Sequence, residues 1–189
     1  MSTGNEIRVG AGEVEKAPHI STLTNSEWSK VNHTLPIPSL QFLFHLECDI
    51  ADIRPIGDGG RGGRFEGPRI RGTMLPGGGD WETIQKTPAS TTTTSGDTLT
   101  IHHDARYTLL THDNHCIYVS SGGVRTGPRE IIDALGEEDK QGAHEFKMRT
   151  CLSFECDNEG KYGWLNRVVA IGSCGGNGSM VIYDAYEVL

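Results

Sequence analysis

Short stretches in which apolar and polar residues alternate recur along the chain, and they predict β-strands. The first covers residues 40–53, where Leu40, Phe42 and Phe44 fall on one face. Further strands are predicted over residues 69–75, 99–111, 116–120, 147–155, 165–171 and 180–188. Gly-rich and Thr-rich composition predicts loops over residues 54–63 and 87–96.

One segment favours a helix. Pro128 suits a first helical turn, and residues 129–135 continue the pattern until Gly136. Many short strands with a single helix favour an all-β antiparallel barrel over a sheet built from βαβ units. Residues 1–38 are polar and weakly patterned, so we expect an N-terminal extension there and a barrel domain over residues 39–189.

Composition and charge narrow the range of partners. The chain has 189 residues and a formal net charge of −8, without a block of lysine and arginine, so a nucleic-acid partner is not expected. The five cysteines are odd in number and form no Cys-x-x-Cys motif, which favours a reducing compartment. Neither a secretory signal nor a membrane-spanning segment is predicted. We therefore expect a cytoplasmic protein.

A glycine-rich stretch from Gly63 to Trp81 places an acid at each end of a short strand. Its turns predict a tight pair of hairpins. Six or seven extended residues span about 20 Å, so Glu66 and Asp80 are not expected to reach the same atom. Asp80, beside Trp81, is the better candidate for a pocket, and Glu66 is the better candidate for a turn cap.

The strand over residues 101–109 carries polar side chains on one face. Strict alternation puts His102, Asp104 and Arg106 together, opposite His103 and Tyr107. The polar face meets either solvent or a polar cavity. In solvent, the Asp104–Arg106 pair would contribute about 0–1 kcal/mol.

Aromatic residues beside the predicted strands describe either a small-molecule pocket or a plain core. They are Trp81, Tyr107, Tyr118, Tyr162 and Trp164. Asn166 would orient a substrate carbonyl or satisfy a strand edge. The histidine spacing matches no metal-ligand pattern, and no nucleotide-binding fingerprint opens a helix, so neither metal nor cofactor is predicted.

Five short motifs in order resemble the bacterial and fungal lipocalin-like (calycin-type) family long known only as a domain of unknown function. They are FEGP at residues 65–68, LPGGGDW at 75–81, DARY at 104–107, YGWLN at 162–166 and VIYDAYEV at 181–188. The resemblance covers residues 40–189. It implies a closed antiparallel β-barrel around a cavity, often in a homodimer. The N-terminal extension, the Thr-rich loop and residues 128–142 depart from the plainer bacterial pattern.

The family includes a fungal phenalenone cyclase, which adds a phenolic hydroxyl across a prenyl alkene. The resemblance therefore implies a cofactor-independent cyclase or isomerase of aromatic polyketide biosynthesis, acting on a small prenylated aromatic substrate. It favours a cavity position for the polar face of residues 101–109. For that reaction we expect Asp80, Asp104 and Arg106 to be catalytic: Asp80 as the proton donor, Asp104 to orient the hydroxyl and Arg106 to hold the oxygen anion. The expected substrate-binding residues are Trp81, Tyr107, Tyr118, Trp164, Asn166 and Glu66.

Two other functions stay open at this point. A barrel that carries a hydrophobic small molecule without converting it would use the same aromatic residues, but it needs no buried acid. A housekeeping protein with neither role would need no cavity.

Overall fold

The structure, a computed structural model, describes residues 36–50, 58–87, 98–134, 146–177 and 180–189. These contain nine strands and two short helices. The strands are β1 (Leu40–Ile50), β2 (Asp58–Glu66), β3 (Arg71–Met74), β4 (Gly79–Thr87), β5 (Thr98–Thr111), β6 (Cys116–Pro128), β7 (Lys147–Glu155), β8 (Ala170–Asn177) and β9 (Met180–Val188). The α-helix α1 covers Arg129–Asp133, and a 3-10 helix covers Gly163–Arg167.

The strands form one antiparallel sheet that closes on itself. From β5 to β9 each strand pairs with the next, and β9 pairs with β1, which pairs with β2. Strands β3 and β4 share one position, because each pairs with β2 on one side and with β5 on the other. The result is an eight-position up-and-down barrel, which confirms the predicted fold class.

Large apolar side chains fill one half of the barrel interior. Alternate residues of each strand project into the interior, and in β7 the residues alternate strictly between buried and exposed positions. Phe44 lies at the centre of this packing and makes edge-to-face contacts with Phe65, Phe154 and Tyr183. The largest fully buried side chains are Phe44, Leu46, Leu109, Ile117, Val119 and Leu165.

A polar network ties the β5–β6 turn to the segment before the 3-10 helix. Asp113 in the turn accepts hydrogen bonds from Thr111 (2.6 Å), Lys161 (2.6 Å) and Tyr162 (2.9 Å). The ring of Tyr162 is buried and packs edge-on against His115. This network holds the 160–167 segment against the filled half of the barrel.

The opposite half is lined differently. Helix α1 contributes Ile132, which packs with Leu99 and Ile101 of β5 in a small separate cluster. Ile84 of β4 pairs with Ile101 and so projects from the inner face, yet it is 57% exposed. An inward-facing apolar side chain with this exposure marks an opening, which we call the barrel mouth.

Several local predictions are wrong. Residues 58–63 lie in β2 instead of a loop, because Gly63 allows the strand to lie against β1: a Cβ there would be 2.1 Å from the Glu47 carbonyl oxygen. Residues 165–167 belong to the 3-10 helix instead of a strand. Gly163 explains that turn, since a Cβ on it would meet the Asn158 carbonyl oxygen at 2.2 Å. Strand β4 was not predicted at all.

Other predicted features fall partly or wholly outside the described residues. These include the N-terminal extension up to residue 35, the Thr-rich loop from residue 88 and the end of the predicted helix at residues 135 and 136. The described part of α1 ends at Asp133. The domain division at residues 38 and 39 stays a prediction. No helix in the described part of the chain is long and apolar enough to span a membrane.

Candidate functional site

Two acids of β4 face the inside of the barrel. Asp80 pairs with Ala105 of β5, and Glu82 pairs with His103. Residues that pair directly in an antiparallel ladder project from the same face of the sheet. Because His103 is buried, this is the inner face. The side chains of Asp80 and Glu82 are 27% and 28% exposed, so both are partly accessible to solvent.

Asp80 and His103 form the centre of the site. Oδ2 of Asp80 lies 3.9 Å from Nδ1 of His103, and Oδ1 accepts a 3.0 Å hydrogen bond from the backbone N–H of Asp104. Both ring nitrogens of His103 are buried, and neither has a hydrogen-bond partner among the residues that the structure describes. Burial, and next the charge of Arg125, lower the pKa of His103. The imidazole is therefore neutral at physiological pH.

Arg125 of β6 brings a cation to the same wall. It pairs with Ile101, which puts it on the inner face, and its Nη2 donates a 2.8 Å hydrogen bond to Oε1 of Glu82. The side chain is 18% exposed. A guanidinium held this way can attract a ligand oxygen anion.

Glycine makes room for the imidazole. Gly123 pairs with His103, and a Cβ on Gly123 would lie 2.7 Å from Nε2 of the ring. Any side chain at this position would displace either the ring or the neighbouring strand. The glycine therefore fixes where His103 lies behind Asp80.

Hydroxyl groups line the interior beyond the charged residues. The hydroxyls of Tyr107 and Tyr183 lie 2.6 Å apart, and those of Ser121 and Thr150 lie 2.7 Å apart. Thr150 also lies 3.1 Å from the carbonyl oxygen of Gly122, to which it can donate. Burial raises the pKa values of both tyrosines, so both phenols stay protonated.

The structure brings two of the predicted residues inside. Asp80 and Tyr107 both project from the inner face. Asp104 and Arg106 project outward and pair with each other. The prediction that this pair lines the cavity is therefore wrong, because the buried positions of His103 and Tyr107 fix the opposite face as the inner one.

The remaining predicted residues do not join Asp80. Trp81 (53% exposed) and Tyr118 (40% exposed) lie on the outer face, and Glu66 is exposed at the end of β2. Trp164 lies in the 3-10 helix, where the guanidinium of Arg69 is 3.5 Å from its ring centre. The Asn166 amide exchanges two 2.9 Å hydrogen bonds with the backbone of Cys156, so it satisfies a strand end.

Sequence reasoning missed His103, Glu82 and Arg125. A usable signal existed for His103, because it alternates with Ile101 and Tyr107 on the apolar face of β5. For Glu82 and Arg125 we find no comparable signal, since each is identified only by its pairing across strands.

The comparisons with known proteins agree with this architecture. The family described as "Protein of unknown function (DUF3237)" matches residues 38–188. The chain belongs to this family. The UPF0311 protein RPA1785 of Rhodopseudomonas palustris is 26% identical over 163 residues, covering 82% of this chain and 99% of that protein.

Two crystal structures of similar proteins share the fold. The structure of RPA1785 superposes with a TM-score of 0.68 at 25% identity and covers 82% of this chain and 100% of that one. A β-barrel-like protein from Acinetobacter baumannii AYE superposes with a TM-score of 0.62 at 28% identity, covering 83% and 99% respectively. The family resemblance seen in the sequence is thereby confirmed.

Proposed function

We propose that this protein is a cofactor-independent isomerase that closes a C–O ring by acid–base catalysis at the barrel mouth. One observation carries the proposal: a partly exposed, inward-facing Asp80 is backed by the buried, neutral His103. The Glu82–Arg125 pair lies on the same inner wall. A carboxylate with a buried basic neighbour is typical of sites that move protons.

The reaction that these groups suit is intramolecular hydroalkoxylation of a phenol that carries an alkene. Asp80 accepts the phenolic proton, and Arg125 attracts the oxygen as it gains negative charge. The proton on Asp80 is delivered to one alkene carbon as the oxygen bonds to the other, so the π electrons form the new C–H bond. One O–H bond and the alkene π bond are lost, and one C–O and one C–H bond form. The product has the mass of the substrate.

The apolar border of the mouth supports a hydrophobic substrate. Ile84 offers exposed apolar surface beside the charged groups, and Leu99, Ile101 and Ile132 pack together at the same end of the barrel. A prenylated phenol of an aromatic polyketide pathway fits this arrangement, because its hydroxyl would meet the charged groups and its prenyl group would meet the apolar residues. Holding both ends of one molecule close together would supply much of the rate.

The other expectations from the sequence belong to the same proposal. The small prenylated aromatic partner, a homodimer and a place in the cytoplasm all stay predictions. Neither a metal nor a cofactor enters the proposed reaction.

The test is incubation of the protein with 2-prenylphenol, followed by chromatography and mass analysis. A cyclic product of unchanged mass is expected. Asp80→Asn should lower turnover by about 100-fold or more, as removal of a general acid–base group does. Glu155→Gln, which changes an exposed carboxylate on the outer face of β7, is the matched control.

Two results would contradict the proposal. If 2-prenylphenol and related alkenyl phenols bind without conversion by the unaltered protein, the barrel is a carrier. If conversion occurs but survives Asp80→Asn, the reaction does not use this site.

A further inference from the structure

A groove of about 600 Å³ is lined mainly by residues of β7, β8 and β9, and by none of the residues of the Asp80–His103 site. It follows β8, whose outward residues Ser173 and Gly175 are small. Arg149 of β7 pairs with Ser173, and Asp184 of β9 pairs with Ser173 from the other side. The walls are thus two strand spacings apart, about 9.5 Å. Its volume falls within the range of small-molecule sites.

Gly175 is one of the residues that line the groove. It pairs with Ile182 of β9, and Lys147 lies beside it on β7, one residue before the Met148–Cys174 pair. Gly175 is itself buried and adds no side chain between Lys147 and Ile182, which also line the groove.

The two walls carry different charge. Lys147 and Arg149 are exposed, and neither has a carboxylate partner among the described residues; Arg149 donates only to the carbonyl oxygen of Met148, at 2.7 Å. On the other wall, Asp184 is already bonded to Nδ1 of His45 at 2.7 Å. One wall therefore carries two cations without a carboxylate partner, and the carboxylate on the other wall already has a hydrogen-bond partner.

We infer that this groove binds a small organic anion, a carboxylate or a phosphate monoester with a flat apolar body. The anionic group would lie against Arg149 and Lys147, with the Ser173 hydroxyl as a further donor. The apolar body would lie against Ile182. Two unpaired cations within one Debye length attract an anion even though the chain carries a formal net charge of −8.

The probes are benzoate and phenyl phosphate, with benzamide as the neutral match of benzoate. Each is titrated into isotope-labelled protein while backbone amide chemical shifts are followed. Saturable shifts are expected at Ser173, Gly175 and Ile182 with both anions. Benzamide should bind about tenfold more weakly or less, because it lacks the charge-assisted hydrogen bonds. Comparing the two anions shows which of them the groove prefers.

Substitutions locate the binding. The double change Lys147→Gln and Arg149→Gln should weaken benzoate binding by about tenfold or more, for the same reason. Gly175→Leu should block it by filling the groove. Arg167→Gln removes an exposed cation on the 3-10 helix and should leave binding unchanged. Thermal unfolding of each variant checks that it is folded.

The inference is overturned by any of three results: shifts that rise linearly without saturation, equal binding of benzamide, or full binding by the double variant. None of these results depends on turnover of 2-prenylphenol, so this site and the proposed reaction succeed or fail separately.

Discussion

The carboxylate of Asp80 and the imidazole of His103 lie 3.9 Å apart inside the barrel, while the adjacent side chains of Trp81 and His102 point outward. The two side chains differ in their exposure to solvent. The Asp80 side chain is 27% exposed and the His103 side chain is 2% exposed. A ligand at the mouth would therefore meet Asp80, and His103 would act on it through Asp80.

Replacing His103 should change how stability depends on pH. Burial lowers the pKa of His103 below its usual value, so the unfolded chain takes up a proton first as the pH falls. Stability is then unaffected well above about pH 6.5 and declines as the pH falls through that value toward the lowered pKa. His103→Gln should remove this decline, which one histidine limits to about 1.4 kcal/mol per pH unit.

Urea unfolding of both proteins between about pH 7.5 and pH 5 measures the difference. The rest of the chain is common to both proteins, so only the difference between the two curves reports on His103. His102→Gln, which changes the exposed neighbour, is the control and should follow the unaltered protein. Parallel curves for His103→Gln and the unaltered protein would show that His103 does not titrate abnormally.

The alternation of residues in β5 shows which part of the site can be predicted from the sequence. It correctly separates Asp104 and Arg106 from His103 and Tyr107. It does not say whether the polar set meets solvent or a polar cavity, because either environment accepts polar side chains. That choice depends on pairing with β4 and β6, which are distant features of the fold. The resemblance favoured the wrong face for this reason.

Glycine positions explain most of the remaining errors. Glycine-rich composition predicts turns, but Gly63 allows close strand packing against the Glu47 carbonyl, and Gly163 allows a turn against the Asn158 carbonyl. Each role depends on a neighbouring backbone group, which the composition does not identify. By contrast, β7 and β9 were predicted with the bounds that the structure shows, and in β7 buried and exposed residues alternate strictly.

Two adjacent glycines should respond differently to alanine. A Cβ on Gly123 would lie 2.2 Å from the Arg149 carbonyl oxygen and 2.7 Å from Nε2 of His103, whereas one on Gly122 would meet nothing nearer than 3.9 Å. Gly123→Ala should therefore cost about 1–3 kcal/mol or more through overpacking. Gly122→Ala should be neutral or should stabilise by about 0.4–1 kcal/mol.

Denaturant unfolding at neutral pH compares the two variants directly. Both variants replace a glycine by alanine at neighbouring positions of β6. A difference in their stability is therefore not explained by the intrinsic strand propensity of alanine. Equal effects would mean that Gly123 does not pack against His103 as described.

The tyrosine pair in the interior should show strong coupling. The hydroxyls of Tyr107 and Tyr183 lie 2.6 Å apart and are fully enclosed. Tyr107→Phe leaves the Tyr183 hydroxyl without this partner, at a cost of about 1–3 kcal/mol. Changing both tyrosines to phenylalanine removes both polar groups, so the double variant should lose less stability than the two single losses added together. A double loss equal to that sum would contradict the hydrogen bond.

Asp113 should make the barrel sensitive to acid. The hydrogen bond from Lys161, and next that from Thr111, hold the pKa of Asp113 well below its usual range. A depressed acid contributes stability that is present above about pH 4, where an unfolded aspartate is ionised, and that is lost as the pH falls toward the lower folded value. Asp113→Asn should therefore be less stable at neutral pH and should lose less further stability below about pH 4. Unfolding curves across this range test the effect, with Glu159→Gln, which changes an exposed acid in the nearby turn, as the control. If the free energy of unfolding falls equally steeply below about pH 4 in both variants, Asp113 does not stabilise this end of the barrel.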